Sequence, residues 1–420
     1  MPGNATVRFK GVGGEPEGDR YRACRATLVG PGVNQPEPYE GYGGFVGWSG
    51  VTRLKSGRWM VTFTSGLWHA TLPWTEEIAQ DPACRRQFEE WEALGLPDRP
   101  APRGGRAHVM HSDDEGLTWS LPRTLVDTER DDRHPTILEL ADGTLFCSWF
   151  GSRYPRVTHA FYMLARPGDA MWSQPMHPGG EPQEGSFGNG SAIRLRDDSV
   201  VWAISGGFGE EGPARVRIFR SRDSGTSFEP IATVASDHDL HEPTLAELPD
   251  GRLIMVSRRE GDMCWSEDGG ESWSPPEGTG WGLFDPHLLQ LPNGVLALFA
   301  GSYHGGGIRV LLSPDGGLTW HGPDSGAEEP YGYSVDRSVY GYCHPMLLED
   351  GTVYLVYLHT GGHRTDDART ESLFGLRLRV HDDAGGIDIL PAPGSPAAMG
   401  LDGADAEAGD GGDPELGDRM

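Results

Sequence analysis

Histidine, arginine and tyrosine are concentrated at the ends of short apolar runs in this 420-residue chain. These side chains donate and accept protons, hold anionic groups and bind metal ions. Strand ends that faced only solvent would have no reason to collect them, so we expect one concave polar pocket that binds or transforms a ligand. Eight of the fifteen histidines stand at such ends, at positions 69, 134, 241, 287, 304, 344, 359 and 363.

The apolar runs follow a repeated pattern that identifies them as paired strands. A run ends in Leu, a short turn with Gly or Asp follows, and a second run rich in Val, Leu, Ile and aromatic residues begins. The turn residues are separated by intervals of 86, 55, 53, 43 and 57 residues. Each copy predicts a β-hairpin whose turn needs a positive φ. The turn residues are Gly57, Gly143, Asp198, Gly251, Gly294 and Gly351.

A second motif, Ser-x-Asp-x-Gly-x-Ser/Thr-aromatic, occurs in four copies, which begin at Ser112, Ser221, Ser266 and Ser313. The last copy reads SPDGGLTW. Its Ser and Asp side chains can bond the amides of their own turn, and its aromatic ring can wedge between neighbouring sheets. We therefore interpret the motif as a structural turn and not as a ligand site.

Six hairpins at this spacing, none able to bury both faces alone, predict an all-β fold, a six-bladed β-propeller. Residues 1–44 form an N-terminal segment that could supply a ring-closing strand, and residues 45–390 form the propeller. An insertion at 67–105, after the first hairpin, contains apolar residues at helical spacing and predicts a helix at 75–96. Residues 391–420 are acidic and poor in apolar side chains, which predicts a disordered tail.

The predicted propeller has two distinct faces. The six hairpin turns and the Ser-x-Asp-x-Gly motifs lie on one side of the disc, which we call the turn face. The residues before each first strand and after each second strand must then meet on the opposite side, around the central axis. We call this side the pocket face.

Composition limits the partners of the chain. Its net charge of −27, from 62 acidic and 35 basic residues, argues against nucleic acids and anionic membranes. No apolar stretch is typical of a signal peptide or long enough to span a bilayer, so we expect a soluble, cytoplasmic protein. The five scattered cysteines predict no disulfide framework. We predict no cofactor and no metal, a site of converging histidines being the weakest of the alternatives.

The four motifs, together with hairpins such as PTLAELPDGRLIMV, resemble the sialidase (neuraminidase) superfamily, whose propellers carry these Asp-box (BNR) repeats. The likeness extends over about residues 45–380. It implies a carbohydrate substrate and an exo-acting glycoside hydrolase that removes a terminal sugar, acidic sugars included. In such an enzyme a Tyr paired with a Glu attacks the anomeric carbon, an Asp protonates the leaving oxygen and arginines hold the substrate carboxylate.

The resemblance carries these roles to particular residues. Tyr342, in YGYCHPMLLEDGTVYLVY, matches the nucleophile, with Tyr340 as the alternative, and Glu242, in HEPTLAEL, matches its base. Asp132 is the expected acid, with Asp131 beside it as the alternative. Arg258, Arg153 and Arg364 are the expected carboxylate ligands, while Arg259 should point away from Arg258 because side chains alternate along a strand. The other expected substrate-binding residues are Arg133, His134, His241, Asp285, His287 and His344.

One departure from the family keeps other functions open. The Arg-x-Pro that precedes the family's first inner strand is replaced by YGGFVGWSGVTRL, with Arg53 inside the strand, which points away from sialic acid. A polysaccharide lyase is the first alternative, in which His or Tyr removes the proton next to a uronate carboxylate and Arg or His neutralises the enolate. The second is a non-catalytic carbohydrate-binding propeller, with Trp48, Trp68 and Trp74 as stacking platforms.

Overall fold

The N-terminal part of the chain supplies strand β1 (Arg8–Gly11), helix α1 (Arg20–Cys24) and strand β2 (Ala26–Val29). The helix predicted at 75–96 is not established. Apart from residues 80–82 and 89 it lies outside the described residues; residues 80, 82 and 89 have helical backbone, and α1 is the only complete α-helix within the described residues. The computed structural model describes residues 7–14, 20–39, 42–67, 71, 73, 80–82, 89, 104–153, 157–188, 192–303, 307–323, 331–339, 342–359 and 372–401.

Six sheets follow one another along the chain. The first contains β3 (Phe45–Arg53), β4 (Trp59–Gly66), β5 (Arg106–Ser112) and β6 (Arg123–Val126), and the second contains β7 (Asp131–Glu139), β8 (Leu145–Arg153) and β9 (Val157–Ala165). The third contains β10 (Ser186–Phe187), β11 (Ile193–Arg194), β12 (Val200–Gly206), β13 (Arg215–Ser221) and β14 (Glu229–Val234).

The remaining three sheets repeat this antiparallel order. The fourth contains β15 (His241–Glu247), β16 (Leu253–Arg258) and β17 (Asp262–Ser266). The fifth contains β18 (Leu283–Gln290), β19 (Leu296–Ser302), β20 (Ile308–Ser313), β21 (Thr319–Gly322) and β22 (Tyr333–Asp336). The sixth contains β23 (Cys343–Leu347), β24 (Val353–His359), β25 (Ser372–Val380) and β26 (Ile387–Leu390).

The hydrophobic core is divided among the junctions between neighbouring sheets. In the described part of the chain each junction holds one cluster of buried side chains, including the junction of the sixth sheet with the first, where Tyr354 packs against Trp59. Every sheet thus buries both of its faces against its neighbours, which only a closed ring allows. The structure is a six-bladed β-propeller, and this prediction from the sequence is confirmed.

Two strands from the N-terminal part of the chain join the last two sheets. Strand β2 pairs with β25 of the sixth sheet, and β1 pairs in parallel with β21 of the fifth. The guanidinium of Arg25 donates a hydrogen bond of 2.8 Å to Asp336, whose carboxylate is fully buried and also accepts the hydroxyl of Tyr357 at 2.9 Å. The N-terminal segment is therefore fastened to the ring by strand pairing and by a buried ion pair.

The six hairpin turns share one hydrogen bond. In each, the amide of the turn residue donates to the carbonyl of the Leu three positions earlier, as Gly57 does to Leu54 at 2.8 Å. All six turn residues have positive φ, from 66° at Asp198 to 90° at Gly57. Asp can replace Gly in the third sheet because its short polar side chain tolerates this conformation better than most.

The four Ser-x-Asp-x-Gly motifs form one and the same turn. In the last copy, the Ser313 hydroxyl donates to Asp315 at 3.0 Å and accepts the amide of Gly317 at 2.8 Å, while Asp315 accepts the amide of Thr319 at 2.7 Å. The indole of Trp320 donates to the Gly317 carbonyl at 2.8 Å. The side chains thus satisfy the amides of a tight loop that would otherwise be unpaired.

Residues 391–401, which the sequence analysis assigns to the disordered tail, are folded against the ring. The amide of Ala392 donates to the carbonyl of Cys24 at 2.8 Å, and both Ala392 and Ser395 are buried. A short 3-10 helix, Ala397–Met399, follows. Small side chains allow this close packing although the segment is poor in large apolar residues. The rest of the predicted tail, 402–420, lies outside the described residues.

Across the described ranges, no helix combines the length and the apolar character needed to cross a membrane.

Candidate active site

The innermost strands of four sheets carry the same backbone irregularity. The strand ladder shifts register near the pocket face, and at each shift one residue other than Gly has a positive φ. In three of the four strands the next residue is Pro, which cannot donate to the ladder and so favours a bulge. Such a bulge turns a side chain out of the regular alternation. The four residues are Trp48 (φ 47°), His134 (57°), Glu242 (45°) and Asp285 (47°).

Tyr342, immediately before β23 in the sixth sheet, meets Glu242 from the fourth sheet. The Tyr342 hydroxyl donates a hydrogen bond of 2.8 Å to Glu242 Oε1. Arg258, at the end of β16, donates from Nη1 to the same carboxylate oxygen and to the Tyr342 hydroxyl, the latter at 3.1 Å. The other Glu242 oxygen accepts the amide of Asp285 at 2.7 Å. A phenol, a carboxylate and a guanidinium from distant parts of the chain thus form one connected group.

The surroundings of Tyr342 keep its proton in place. Burial raises the pKa of the phenol well above its ordinary value, and the negative charge of Glu242 raises it further. The phenol is therefore protonated at neutral pH, and the carboxylate of Glu242 is the group that accepts its hydrogen bond. Arg258 balances the charge of Glu242, because its guanidinium is always protonated.

Aromatic rings enclose Tyr342 on several sides. The ring centroids of Trp48, His134 and Phe284 lie 6.2, 5.8 and 5.8 Å from that of Tyr342. Trp48 is only 4% exposed, so it supports the Tyr342 ring and offers no platform for stacking a sugar. The predicted platforms at 68 and 74 lie outside the described residues.

Tyr303 is a member of the site that the sequence analysis did not select. It follows β19 and accepts a hydrogen bond from Nη2 of Arg258. Arg259 also lies near it, its guanidinium carbon 5.0 Å from the Tyr303 ring centroid, so the expectation that Arg259 points away from Arg258 is not supported. A signal was available in the sequence, since Tyr303 stands after the second strand of the fifth sheet as Arg258 does in the fourth.

A second group of side chains surrounds Asp285. Asp285 Oδ2 accepts the amide of Cys343 at 3.1 Å, and Oδ1 lies 3.5 Å from Nε2 of His134 and 3.4 Å from Nε2 of His287. The ring of His344 lies 4.5 Å from that of His287. Burial lowers the pKa of His134 and of His344, and the latter is also lowered by its histidine neighbours. Both imidazoles are therefore neutral at physiological pH and do not replace arginines as partners of a carboxylate.

Asp132, the expected general acid, lies in the core between strands. Its carboxylate is fully buried and accepts hydrogen bonds from the amide and hydroxyl of Thr128, at 2.7 and 3.0 Å, and from the indole of Trp149 at 3.2 Å. Burial raises its pKa to about 7. The alternative, Asp131, is buried as well and forms an ion pair with Arg133. Both carboxylates are thus bound by groups of the first two sheets and the segments that join them.

Only some of the other predicted binding residues lie next to Tyr342 and Glu242. Arg133 is held by Asp131 and lies over the ring of Trp48, 5.1 Å from its centroid. His241 is partly exposed beside Glu242, and Arg153 is exposed at the end of β8. Tyr340 and Arg364 lie outside the described residues. The structure therefore brings together Tyr342, Glu242, Arg258, Asp285, His134, His287 and His344.

The six-bladed β-propeller of this chain is similar in fold to solved sialidases. Solved structures with this fold include the intramolecular trans-sialidase from Ruminococcus gnavus, in complex with oseltamivir carboxylate, at a TM-score of 0.56 and 13% identity, covering 82% of this chain and 97% of that one. A Hadza microbial sialidase is similar at a TM-score of 0.55 and 16% identity, covering 79% of this chain and 65% of its own.

A protein of unknown function from Dyadobacter fermentans has the same fold at a TM-score of 0.62 and 16% identity, covering 87% of this chain and 99% of that one. No family model matches the sequence, and no curated protein matches it either. The resemblance to sialidases is thus confirmed at the level of the fold.

Proposed function

We propose that the chain is a glycoside hydrolase that removes a terminal sugar, with Tyr342 as nucleophile and Glu242 as its base. The hydrogen bond of 2.8 Å between the Tyr342 hydroxyl and Glu242 Oε1, shared with Arg258, is the observation that carries this proposal. The sialidases and trans-sialidases of the same fold support it as a class of reaction. The low identity leaves the sugar to be argued from the site itself.

The proposed reaction proceeds in two displacements at the anomeric carbon. The Tyr342 oxygen attacks that carbon while its proton passes to Glu242, and the bond to the leaving oxygen breaks as a general acid protonates it. Water then attacks the same carbon and gives a proton to the conjugate base of that general acid, while the bond to Tyr342 breaks and Glu242 returns its proton to the phenolate. Two inversions give retention of configuration. A neutral phenol suits this role because a carboxylate nucleophile would be repelled by a substrate carboxylate.

The charge around the site argues for a substrate other than sialic acid. A bidentate grip on a carboxylate needs guanidinium groups that are free to turn towards it. Arg258 already donates to Glu242, Tyr342 and Tyr303, and Arg133 is paired with Asp131. We propose a terminal sugar, neutral or acidic, that is recognised mainly by hydrogen bonds.

A lyase remains the second candidate because of the neutral histidines beside Tyr342. In that reaction the imidazole of His134 would accept the proton next to a uronate carboxylate, Arg258 would stabilise the enolate, and the protonated phenol of Tyr342 would donate a proton to the leaving oxygen. The ring of His134 lies 5.8 Å from that of Tyr342, which places both in the same pocket. A lyase product contains a conjugated double bond that absorbs ultraviolet light, whereas a hydrolase product does not, so one assay separates the two reactions.

The test is Tyr342→Phe, assayed on a panel of neutral and acidic glycosides for release of reducing sugar. On any substrate that the wild type cleaves, we expect turnover to fall at least about a thousand-fold, because the nucleophilic oxygen is removed. Tyr354→Phe is the matched control, since its buried hydroxyl has no hydrogen-bond partner among the described residues and turnover should persist. Full turnover by Tyr342→Phe would exclude the mechanism.

A further inference from the structure

Three metal-ligating side chains meet on the central axis of the propeller. His134 comes from β7 in the second sheet, and Asp285 and His287 come from β18 in the fifth. These sheets are opposite each other in a ring of six, so the cluster joins the two sides of the channel. The side chains are buried, with at most 5% of each exposed. One ligand atom from each, two imidazole nitrogens and a carboxylate oxygen, lies within 4.8 Å of the others.

Two of the three distances within the cluster match the edges of a metal coordination tetrahedron. Zinc bonds to imidazole nitrogen and carboxylate oxygen are about 2.0–2.2 Å long, which sets the tetrahedral edges at roughly 3.3–3.5 Å. Asp285 Oδ1 lies 3.5 Å from His134 Nε2 and 3.4 Å from His287 Nε2. These separations are too long for good hydrogen bonds. His134 Nε2 accordingly has no hydrogen-bond partner among the described residues.

The electrostatics of the cluster also favour a cation. A buried carboxylate is costly unless a positive charge compensates it. No Arg or Lys in the described ranges forms an ion pair with Asp285, whose nearest partners are the imidazoles of His134 and His287. Imidazole nitrogen and carboxylate oxygen are both ligands that divalent metal ions accept. A divalent ion would therefore compensate Asp285 and satisfy His134 at once.

We propose that His134 Nε2, Asp285 Oδ1 and His287 Nε2 bind one divalent first-row transition-metal ion, with zinc the best fit. Three protein ligands leave one position for water or for an oxygen of a bound molecule. The amide of Cys343 holds Asp285 Oδ2, which leaves Oδ1 for the metal, as supporting hydrogen bonds commonly do in metal sites. The ion would lie next to Tyr342. The proposal does not depend on the proposed function.

Sequence analysis predicts no metal, and the position of the ligands explains why. His134 and His287 are separated by 153 positions in the sequence. Only the closure of the ring brings His134 to Asp285 and His287, so the two-residue spacing of that pair is the one local sign of the site in the sequence.

The experiment measures metal binding by the whole chain. Protein stripped with a chelator is dialysed against Zn²⁺ and its metal content determined, and Co²⁺ is then substituted to record the visible absorption of a tetrahedral site. We expect one ion per chain and a visible Co²⁺ band. His134→Ala, Asp285→Asn and His287→Ala should each weaken Zn²⁺ binding at least about 100-fold, more than the loss of a supporting group does. His111→Ala, a partly exposed histidine on β5, is the control and should bind one ion.

Two results would overturn the proposal. One is a wild-type chain that takes up no stoichiometric Zn²⁺, a measurement that needs no variant to fold. The other is Zn²⁺ binding that persists in all three folded variants, which would place the ion elsewhere. Because the readout is bound metal and not turnover, a failure here leaves the glycosidase proposal to its own test.

Discussion

The two faces of the propeller are built from contacts of different range. On the turn face, the hydrogen bonds of each Ser-x-Asp-x-Gly motif join residues two to four positions apart, as from Ser313 to Asp315 and Gly317. On the pocket face, Tyr342 and Glu242 are 100 positions apart, and Asp285 and Cys343 are 58 apart. Each turn can therefore form within its own blade, whereas the pocket exists only after the ring has closed.

This difference predicts two responses to mutation. A change on the turn face removes stability from one blade and leaves the pocket geometry intact. A change in the interactions that close the ring lowers stability more, and it also disturbs the pocket, because its side chains come from five different sheets. Variants on the turn face should thus lose stability and keep ligand binding, whereas variants that weaken ring closure should lose both.

The largest loss of stability is expected for Asp336→Ala. The variant leaves Arg25, whose side chain is only 10% exposed, without its carboxylate partner. An uncompensated buried charge of this kind costs about 3–5 kcal/mol. Urea unfolding followed by circular dichroism measures the change in the free energy of unfolding.

The matched control is Glu349→Gln, which removes an ion pair with Arg53 in which the carboxylate is 76% exposed. Exposed pairs contribute at most about 1 kcal/mol. If Asp336→Ala cost no more than this control, the fastening of the N-terminal segment to the ring would not depend on the buried pair.

The sequence predicts the turn face better than the pocket face because the contacts of the turn face join residues that are close in the chain. Asp198 could be placed in a hairpin turn because the flanking apolar runs repeat in all six blades. The motif that begins at Ser313 could be predicted to form a turn from its own residues. Blade number follows from counting such repeats. The joint position of Tyr342, Glu242 and Arg258 also follows from the strand order once the ring is assumed.

The directions of individual side chains could not be predicted, because they depend on local backbone conformation and on packing. Strand alternation alone does not predict the bulges that turn Glu242 and Asp285 into the pocket, although the Pro after each residue was a usable signal. Asp132 lies only two residues before His134, yet its carboxylate is bound by Thr128 and Trp149 in the core. The bulge at His134 separates the directions of these two side chains, and its place is set by the register between β7 and β8.

His108, in the interior of the first blade, should account for part of the acid sensitivity of the fold. Burial lowers the pKa of its imidazole to about 4, and its ring nitrogen lies 2.7 Å from the Ser65 hydroxyl. In the unfolded chain the pKa is near 6.5, so the unfolded state binds the proton first as the pH falls. The contribution of neutral His108 to the free energy of unfolding is fully present above pH 6.5. It is lost progressively between pH 6.5 and 4, by roughly 3 kcal/mol in total.

The variant His108→Gln should reduce this loss. Its free energy of unfolding, measured at pH 7, 5.5 and 4.5, should fall less steeply than that of the wild type, because Gln keeps a polar partner for Ser65 and takes up no proton. His111→Gln, on the same strand but partly exposed, is the control and should retain the wild-type slope. Parallel curves for wild type and His108→Gln would show that His108 does not contribute, and would assign the acid sensitivity to other groups, such as the histidines of the pocket face.

The smallest effect is expected on the turn face, for Ser313→Ala. Ser313 is fully buried, and its replacement leaves the buried amide of Gly317 without a hydrogen-bond partner, which costs about 1–3 kcal/mol. Ser272→Ala, in another copy of the motif, removes an exposed hydroxyl and should cost less than about 0.5 kcal/mol. Zn²⁺ binding and turnover should be unchanged in both variants, because the hydrogen bonds that each variant removes lie within one turn. If Ser313→Ala weakened either property while the protein remained folded, the two faces would be coupled, and the division into a local and a ring-dependent face would be wrong.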